Sequence, residues 1–202
     1  MGTNDSEVAE SEGDAWLRRT IRRGLRGGFQ GDDEVLEGAI ELVSDEVTVD
    51  ETRARAMLAE ERAALRAEMA TWPATTDCDR LDAAFAELEA AGIVARENFT
   101  CCGRCGESEI GDEMEEAEAE GIAVRGYTFF HAQDTDRAAT GEGPLMLKYG
   151  PSPFDEKNIV PIGREIQAAV ERHGLRTEWD GTADQCIKVH LTWQRRHRAT
   201  AL

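Results

Sequence analysis

At Ile93 the hydrophobic pattern of the chain changes period, and this change constrains the fold more than any other feature. Before it, apolar residues recur at spacings of three and four, the mark of helices with one buried face. After it, short runs alternate apolar and polar side chains, the mark of strands, with helical stretches between them. A chain that switches in this way is expected to be an α+β protein, with an N-terminal helical segment followed by a mixed β-sheet carrying packed helices. Its 202 residues suit one domain, or a core domain with an added helical segment. The expected organisation is a disordered tail over 1–13, a helical segment over 14–92 and an α+β domain over 93–195.

In the helical segment, Trp16, Leu17, Ile21 and Leu25 share one side of a first helix. Arg18, Arg19, Arg22, Arg23 and Arg26 fill the rest, and in so acidic a chain they are expected to pair with its own carboxylates. A second helix is predicted over about 33–43. Thr48 followed by Glu51 reads as a capping box opening a third helix that runs to about 72, where Pro73 stops it. A fourth spans about 77–91, with Cys78, Leu81, Phe85 and Leu88 as its buried stripe. Cys78 is therefore a core residue. Beyond Ile93, strands are predicted over about 93–99, 125–131, 144–149, 175–179 and 186–193. Helices are predicted over about 107–120 and 159–173. Asp180-Gly181 reads as the turn of a hairpin between the last two strands, and His173 beside Gly174 as a helix C-terminus.

Charge narrows the function classes. The chain has 41 acidic and 23 basic residues, a net charge of −18. Such a surface repels phosphate backbones and anionic lipid, so nucleic acid and membrane are disfavoured and a basic protein partner is favoured. No apolar run approaches the roughly 20 residues needed to span a bilayer, and the N-terminus lacks the apolar stretch of a signal peptide. The expected location is cytoplasmic. Cys78, Cys101, Cys102, Cys105 and Cys186 make an odd set of five, three of them within five positions. That spacing is unlike a secreted disulfide framework and suits metal binding or redox chemistry.

Cys102 and Cys105 stand at a predicted strand–turn–helix junction, where a CxxC pair can share a metal ion or a disulfide. Downstream, the sequence from Gly106 to Glu120 carries eight acids and no base, a setting expected to favour a bound cation over a thiolate. Arg104 and the helix N-terminus act the other way. A structural zinc ion wants four ligands. His131 is the candidate third, with Cys186 and His190 as further candidates. Cys101 is expected to point away from Cys102, as neighbours in extended chain do. If strands 93–99 and 125–131 are parallel, the cysteines emerge beside His131, Gln133 and Asp134 at one edge of the sheet, where open α/β sheets place their ligands. The competing reading makes Asp134 or Thr135 the cap of a short helix.

Three motifs carry a resemblance. Asn98-Phe99-Thr100-Cys101-Cys102-x-x-Cys105-Gly106, Gly126-Tyr127-x-Phe129-Phe130-His131-x-Gln133-Asp134-Thr135 and Trp179-Asp180-Gly181 together resemble a bacterial, actinobacteria-like family of unknown function, over roughly residues 80–195. The resemblance implies that the motifs belong together and implies no activity. Three readings follow: a binding or regulatory module with zinc at the CCxxC turn, a thiol-redox enzyme or sensor using Cys102 and Cys105, or an acidic interaction protein of the immunity type. Whether the chain is an enzyme stays open at this point. A winged-helix DNA binder is disfavoured because Asp82, Glu87 and Glu89 would face phosphates.

Overall fold

The computed structural model describes residues 11–196. The elements run α1 (Glu12–Gly27), α2 (Asp32–Ser44), α3 (Glu51–Met69), α4 (Asp77–Ala90), β1 (Ile93–Arg96), α5 (Gly103–Ala119), β2 (Gly126–Phe129), α6 (Ala132–Thr140), β3 (Leu145–Pro151), α7 (Glu156–Arg172), β4 (Arg176–Glu178) and β5 (Ile187–His190). This is an α+β fold with its helices leading, as the change of period at Ile93 predicts. The expected disordered tail falls mostly on residues outside the described ones, and Glu12 and Gly13 already belong to α1. The described residues divide into two compact units, one ending at Thr71 and the other running from Trp72 to Arg196. Helix α4, read from the sequence with the helical segment, belongs to the second unit.

In the first unit, Leu17, Ile21 and Leu25 of α1 are buried, and α1 packs on both α2 and α3. The arginines beside that stripe turn to α3. Arg22 Nε donates to Glu61 Oε2 at 2.7 Å, Arg18 Nη1 to Glu60 Oε2 at 2.8 Å, and Arg26 pairs with Glu68. The Arg22 hydrogen bond leads the causes that hold the Glu61 carboxyl below its usual range, against the opposing cost of burial. The cap of α3 differs from expectation. Asp50, directly before the helix, takes the Thr52 and Arg53 amides at 2.8 and 3.1 Å, a role assigned from the sequence to Thr48.

The second unit is built on one five-stranded sheet in the order β1-β2-β3-β5-β4. Among the described residues β1 and β2 are parallel, and the other neighbouring strands are antiparallel. Directly paired residues share a face. On one face lie Ile93, Ala95, Thr128, Leu145, Leu147, Ile187 and Val189, all buried, and helices α4 and α7 pack against this sheet. On the other, Val94 and Phe129 meet Ile110 and Ala117 of α5. Helix α5 therefore covers the β1–β2 half of that face. The close approach depends on Gly106, where a Cβ would run into the Phe129 ring. Strands β4 and β5 form the expected hairpin. In its turn Gly181 has φ +81°, and Asp180 Oδ1 accepts the Thr182 amide at 2.9 Å.

Two glycines of α5 separate packing from helix propensity. Gly106→Ala is expected to lower unfolding free energy by about 1 kcal/mol or more, because overpacking outweighs the helical gain. Gly111→Ala, with no neighbour within 4 Å of the new Cβ, is expected to raise it by about 0.5–1 kcal/mol. Urea denaturation of the two variants checks the pair; equal effects would contradict the packing of α5 on Phe129.

Candidate metal centre

The site is built where β1 and β2 end. Because they are parallel, both chains leave the sheet at the same edge, and their exits are tied together. The Phe130 amide donates to the Arg96 carbonyl at 3.3 Å, Phe99 to Phe130 at 2.8 Å, and Ala132 to Thr100 at 3.1 Å. Thr135 Oγ1 adds a bond to Asn98 Oδ1 at 2.8 Å. The Phe99 ring packs edge-on against Phe129 with centroids 5.6 Å apart. At the base of the turn Glu97 pairs with Arg195 at 3.2 Å, and Arg195 also holds Asp82 of α4 at 2.8 Å.

Within this turn the backbone is strained. Asn98 has φ +50° and Thr100 has φ +57°. Asparagine tolerates the left-handed region, but a β-branched threonine there is an outlier. Such positions cost on the order of 1–3 kcal/mol each and persist where the surroundings over-determine them. The Thr100 hydroxyl bonds the Cys102 carbonyl at 3.1 Å, and its own carbonyl is taken by Ala132. The strained turn delivers three thiols to one place. Cys105 Sγ lies 3.5 Å from Cys101 Sγ and 3.6 Å from Cys102 Sγ, and all three sulfurs fall within 4.8 Å of one another. Cys101 is exposed, the other two half-buried.

Cys101 is thus a correction. Expected to point away, it joins the cluster, because strand alternation stops at Arg96 and the left-handed Thr100 swings the chain back. A second correction concerns the helix. It begins at Gly103, not near residue 107, with Cys102 as N-cap in extended conformation and Cys105 in its first turn. Two of the separations, 3.5 and 3.6 Å, lie near what one ion needs: zinc at about 2.3 Å from each thiolate in a tetrahedron spaces the sulfurs by about 3.8 Å. A disulfide requires about 2.05 Å. The cluster therefore has the geometry to hold a metal ion.

Hydrogen bonding, not the acids of α5, sets the thiols apart. The Cys105 amide and thiol pull the Cys102 thiol below its ordinary value, with the Arg104 amide adding to them. The Cys101 and Cys102 thiols push Cys105 up to about 12. The first turn of α5 holds no acid. Glu107 is taken by Lys148 at 2.6 Å and Glu113 by Arg96 at 2.5 Å. Lys148 was not singled out in the sequence. It pairs across from Phe129 in β3, and its stem lies over Gly103, where a Cβ would come within 2.5 Å of Cε. The register of β3 on β2 brings it to the cysteines.

His131 is the N-cap of α6, three and four residues ahead of the competing cap positions Asp134 and Thr135. Its Nε2 lies 3.0 Å from Asp134 Oδ2, and the same oxygen accepts its backbone amide at 3.3 Å. Asp134 is fully buried, and Arg137 pairs with its other oxygen. Burial lowers the pKa of His131, over the opposing pull of Asp134. The ring faces α5: a Cβ at Gly103 would lie 3.4 Å from its Cδ2. His131 contributes no atom to the three-thiol group. Gln133 is exposed on the first turn of α6. Cys186 is half-buried just before β5, its thiol pushed up by burial with Lys148 opposing. His190 faces Glu178 on β4 at 3.4 Å. Neither enters the thiol group. Cys78 is in the core, and burial pushes its thiol up to about 11.

A mixed sheet with a thiol cluster at the exit of its parallel strand pair defines this protein. Residues 10–197 match the family described as Domain of unknown function (DUF6891), and the chain belongs to that family. Searches of curated proteins and of solved structures give no match. Among the described residues no helix is long and apolar enough to cross a membrane.

The thiols should differ in reactivity. In metal-free reduced protein at pH 7.5, iodoacetamide is expected to modify Cys102 well ahead of Cys105 and Cys78, since only thiolate reacts. Cys102 labelling should fall off at lower pH than that of Cys105, while Cys78 should label only after unfolding. Peptide mass spectrometry reads all five sites, and equal rates at Cys102 and Cys105 would contradict the hydrogen-bonded arrangement.

Proposed function

We propose that this chain is a metal-binding module that holds zinc through the thiolates of Cys101, Cys102 and Cys105. The observation that carries the reading is the gathering of three sulfurs within 4.8 Å of one another, two of the separations, 3.5 and 3.6 Å, being close to the edge of a thiolate tetrahedron. Thiolates select soft or borderline ions, of which zinc and cuprous copper are the usual ones. The helix N-terminus at Cys102 stabilises thiolate there, as a ligand must be deprotonated to bind. Three ligands from one five-residue turn leave a fourth position for another group.

Two further readings remain attached to particular features. Cys105 is within 3.6 Å of both other thiols, which favours a thiol–disulfide role if no metal is taken up. The outer face of α5 exposes Glu109, Glu115, Glu116 and Glu118, a surface suited to a basic protein partner.

Protein purified without chelators is expected to carry close to one zinc per chain by plasma mass spectrometry. Competition with a chromophoric chelator should show Cys105→Ser weakening zinc by roughly 100-fold or more, with Cys186→Ser unchanged. Affinity should fall as the pH is lowered, because protons compete for the thiolates. Failure of the wild-type chain to bind zinc, or an unaltered affinity in Cys105→Ser, would overturn the reading.

A further inference from the structure

We propose that Cys101, Cys102 and Cys105 also capture trivalent arsenic, taken up as arsenous acid and held by all three sulfurs. The inference rests on the three-thiol reading above and names a second ion for the same site. It starts from the number of donors. The three sulfurs lie within 4.8 Å of one another, and among the described residues no histidine, carboxylate or further thiol joins them. His131 Nε2 is held by Asp134 at 3.0 Å, and Lys148 is paired with Glu107 at 2.6 Å. Zinc prefers four ligands and must find its fourth outside this group. Trivalent arsenic is complete with three. Its lone pair sets the three sulfurs on one side of a pyramid and leaves the other side bare. Three thiols from one turn, two half-buried and Cys101 exposed, suit that form. Sulfur bonds to arsenic and to zinc are similar in length, but the angles at arsenic are narrower than tetrahedral, so its sulfurs stand closer. The separations of 3.5 and 3.6 Å from Cys105 fall on that side of the roughly 3.8 Å of a zinc tetrahedron.

Charge points the same way. Three thiolates around zinc leave the centre with one negative charge, and around cuprous copper with two. Around trivalent arsenic they leave none. The chain has a net charge of −18, and the sequence from Gly106 to Glu120 holds eight acids and no base. Added negative charge works against that field, and Arg104 and the helix N-terminus offset only part of it. An uncharged centre meets no such opposition, and uncharged arsenous acid is not repelled on approach. The exchange balances without an oxidant or reductant. Three arsenic–oxygen bonds break and three arsenic–sulfur bonds form. Each thiol proton leaves with a hydroxide as water, and arsenic stays trivalent. No net proton is released, whereas zinc must displace the proton of each protonated thiol.

The test uses the reduced full chain with sodium arsenite and, separately, with zinc. Plasma mass spectrometry after gel filtration is expected to find one arsenic per chain. Absorption at the arsenic edge is expected to show a first shell of three sulfurs and no oxygen. Between about pH 6 and pH 7.5 the arsenite affinity is expected to change by less than about threefold, while zinc affinity rises by roughly tenfold or more. Cys101→Ser is expected to weaken arsenite by roughly tenfold or more. The same variant should still take phenylarsine oxide, which needs only two thiols, through Cys102 and Cys105, and so show that the turn keeps its shape. If it does not, the wild-type shell decides alone. Wild-type protein that binds zinc but takes no arsenite, or holds it by two sulfurs and an oxygen, overturns the inference and leaves the zinc reading standing. So does an unaltered arsenite affinity in Cys101→Ser. Arsenite bound without zinc overturns the zinc reading alone, and failure to bind either overturns both.

Discussion

The parallel pairing of β1 with β2 is the constraint on which the candidate site depends. Among the described residues it is the only parallel pair in the sheet. Parallel neighbours need a crossover, here α5, and they release both chains at one edge. The cysteine turn and the His131 turn then stand side by side and exchange backbone hydrogen bonds. An antiparallel pair would have put them at opposite ends. The same pairing sets the seat of α5, because Phe129 on β2 meets Gly106 one residue after Cys105. Packing of a buried ring on a bare helix backbone thus fixes the height of the thiols above the sheet.

Charge supports this arrangement locally. The chain is strongly acidic, yet the acids nearest the thiols are engaged: Glu107 with Lys148, Glu113 with Arg96. At the root of the turn, Arg195 is nearly inaccessible, lies over the Trp193 ring at 5.4 Å and pairs with both Glu97 and Asp82. A buried guanidinium with two carboxylates is not a large source of net stability. Its effect is positional: it anchors the chain just before the strained Asn98–Thr100 segment. The strain is then borne by a turn fixed at both ends.

Much of the fold was legible. The spacing of Leu17, Ile21 and Leu25 marks the buried face of α1, and Cys78, Leu81, Phe85 and Leu88 that of α4, because burial repeats with the helical period. Asp180-Gly181 announces the hairpin, since Gly181 adopts the positive φ its turn needs. The meeting of the cysteines with His131 and Asp134 also follows from the sequence, once β1 and β2 are taken as parallel. The reach of Cys101 was not legible. Alternation assumes extended chain, and no residue type signals that Thr100, of all side chains, adopts the left-handed region. Lys148 was hidden for another reason. Its role arises from register between distant strands, which periodicity does not encode. The start of α6 at His131 was obscured because histidine is a weak cap signal beside Asp134 and Thr135.

The central claim is that three thiolates from one strand–helix turn hold a metal ion. X-ray absorption at the zinc edge on protein purified without chelators tests it most directly. The account predicts a first shell of three sulfurs at about 2.3 Å and one lighter atom at about 2.0–2.1 Å. A zinc-free protein, or a shell of oxygen and nitrogen alone, would contradict it.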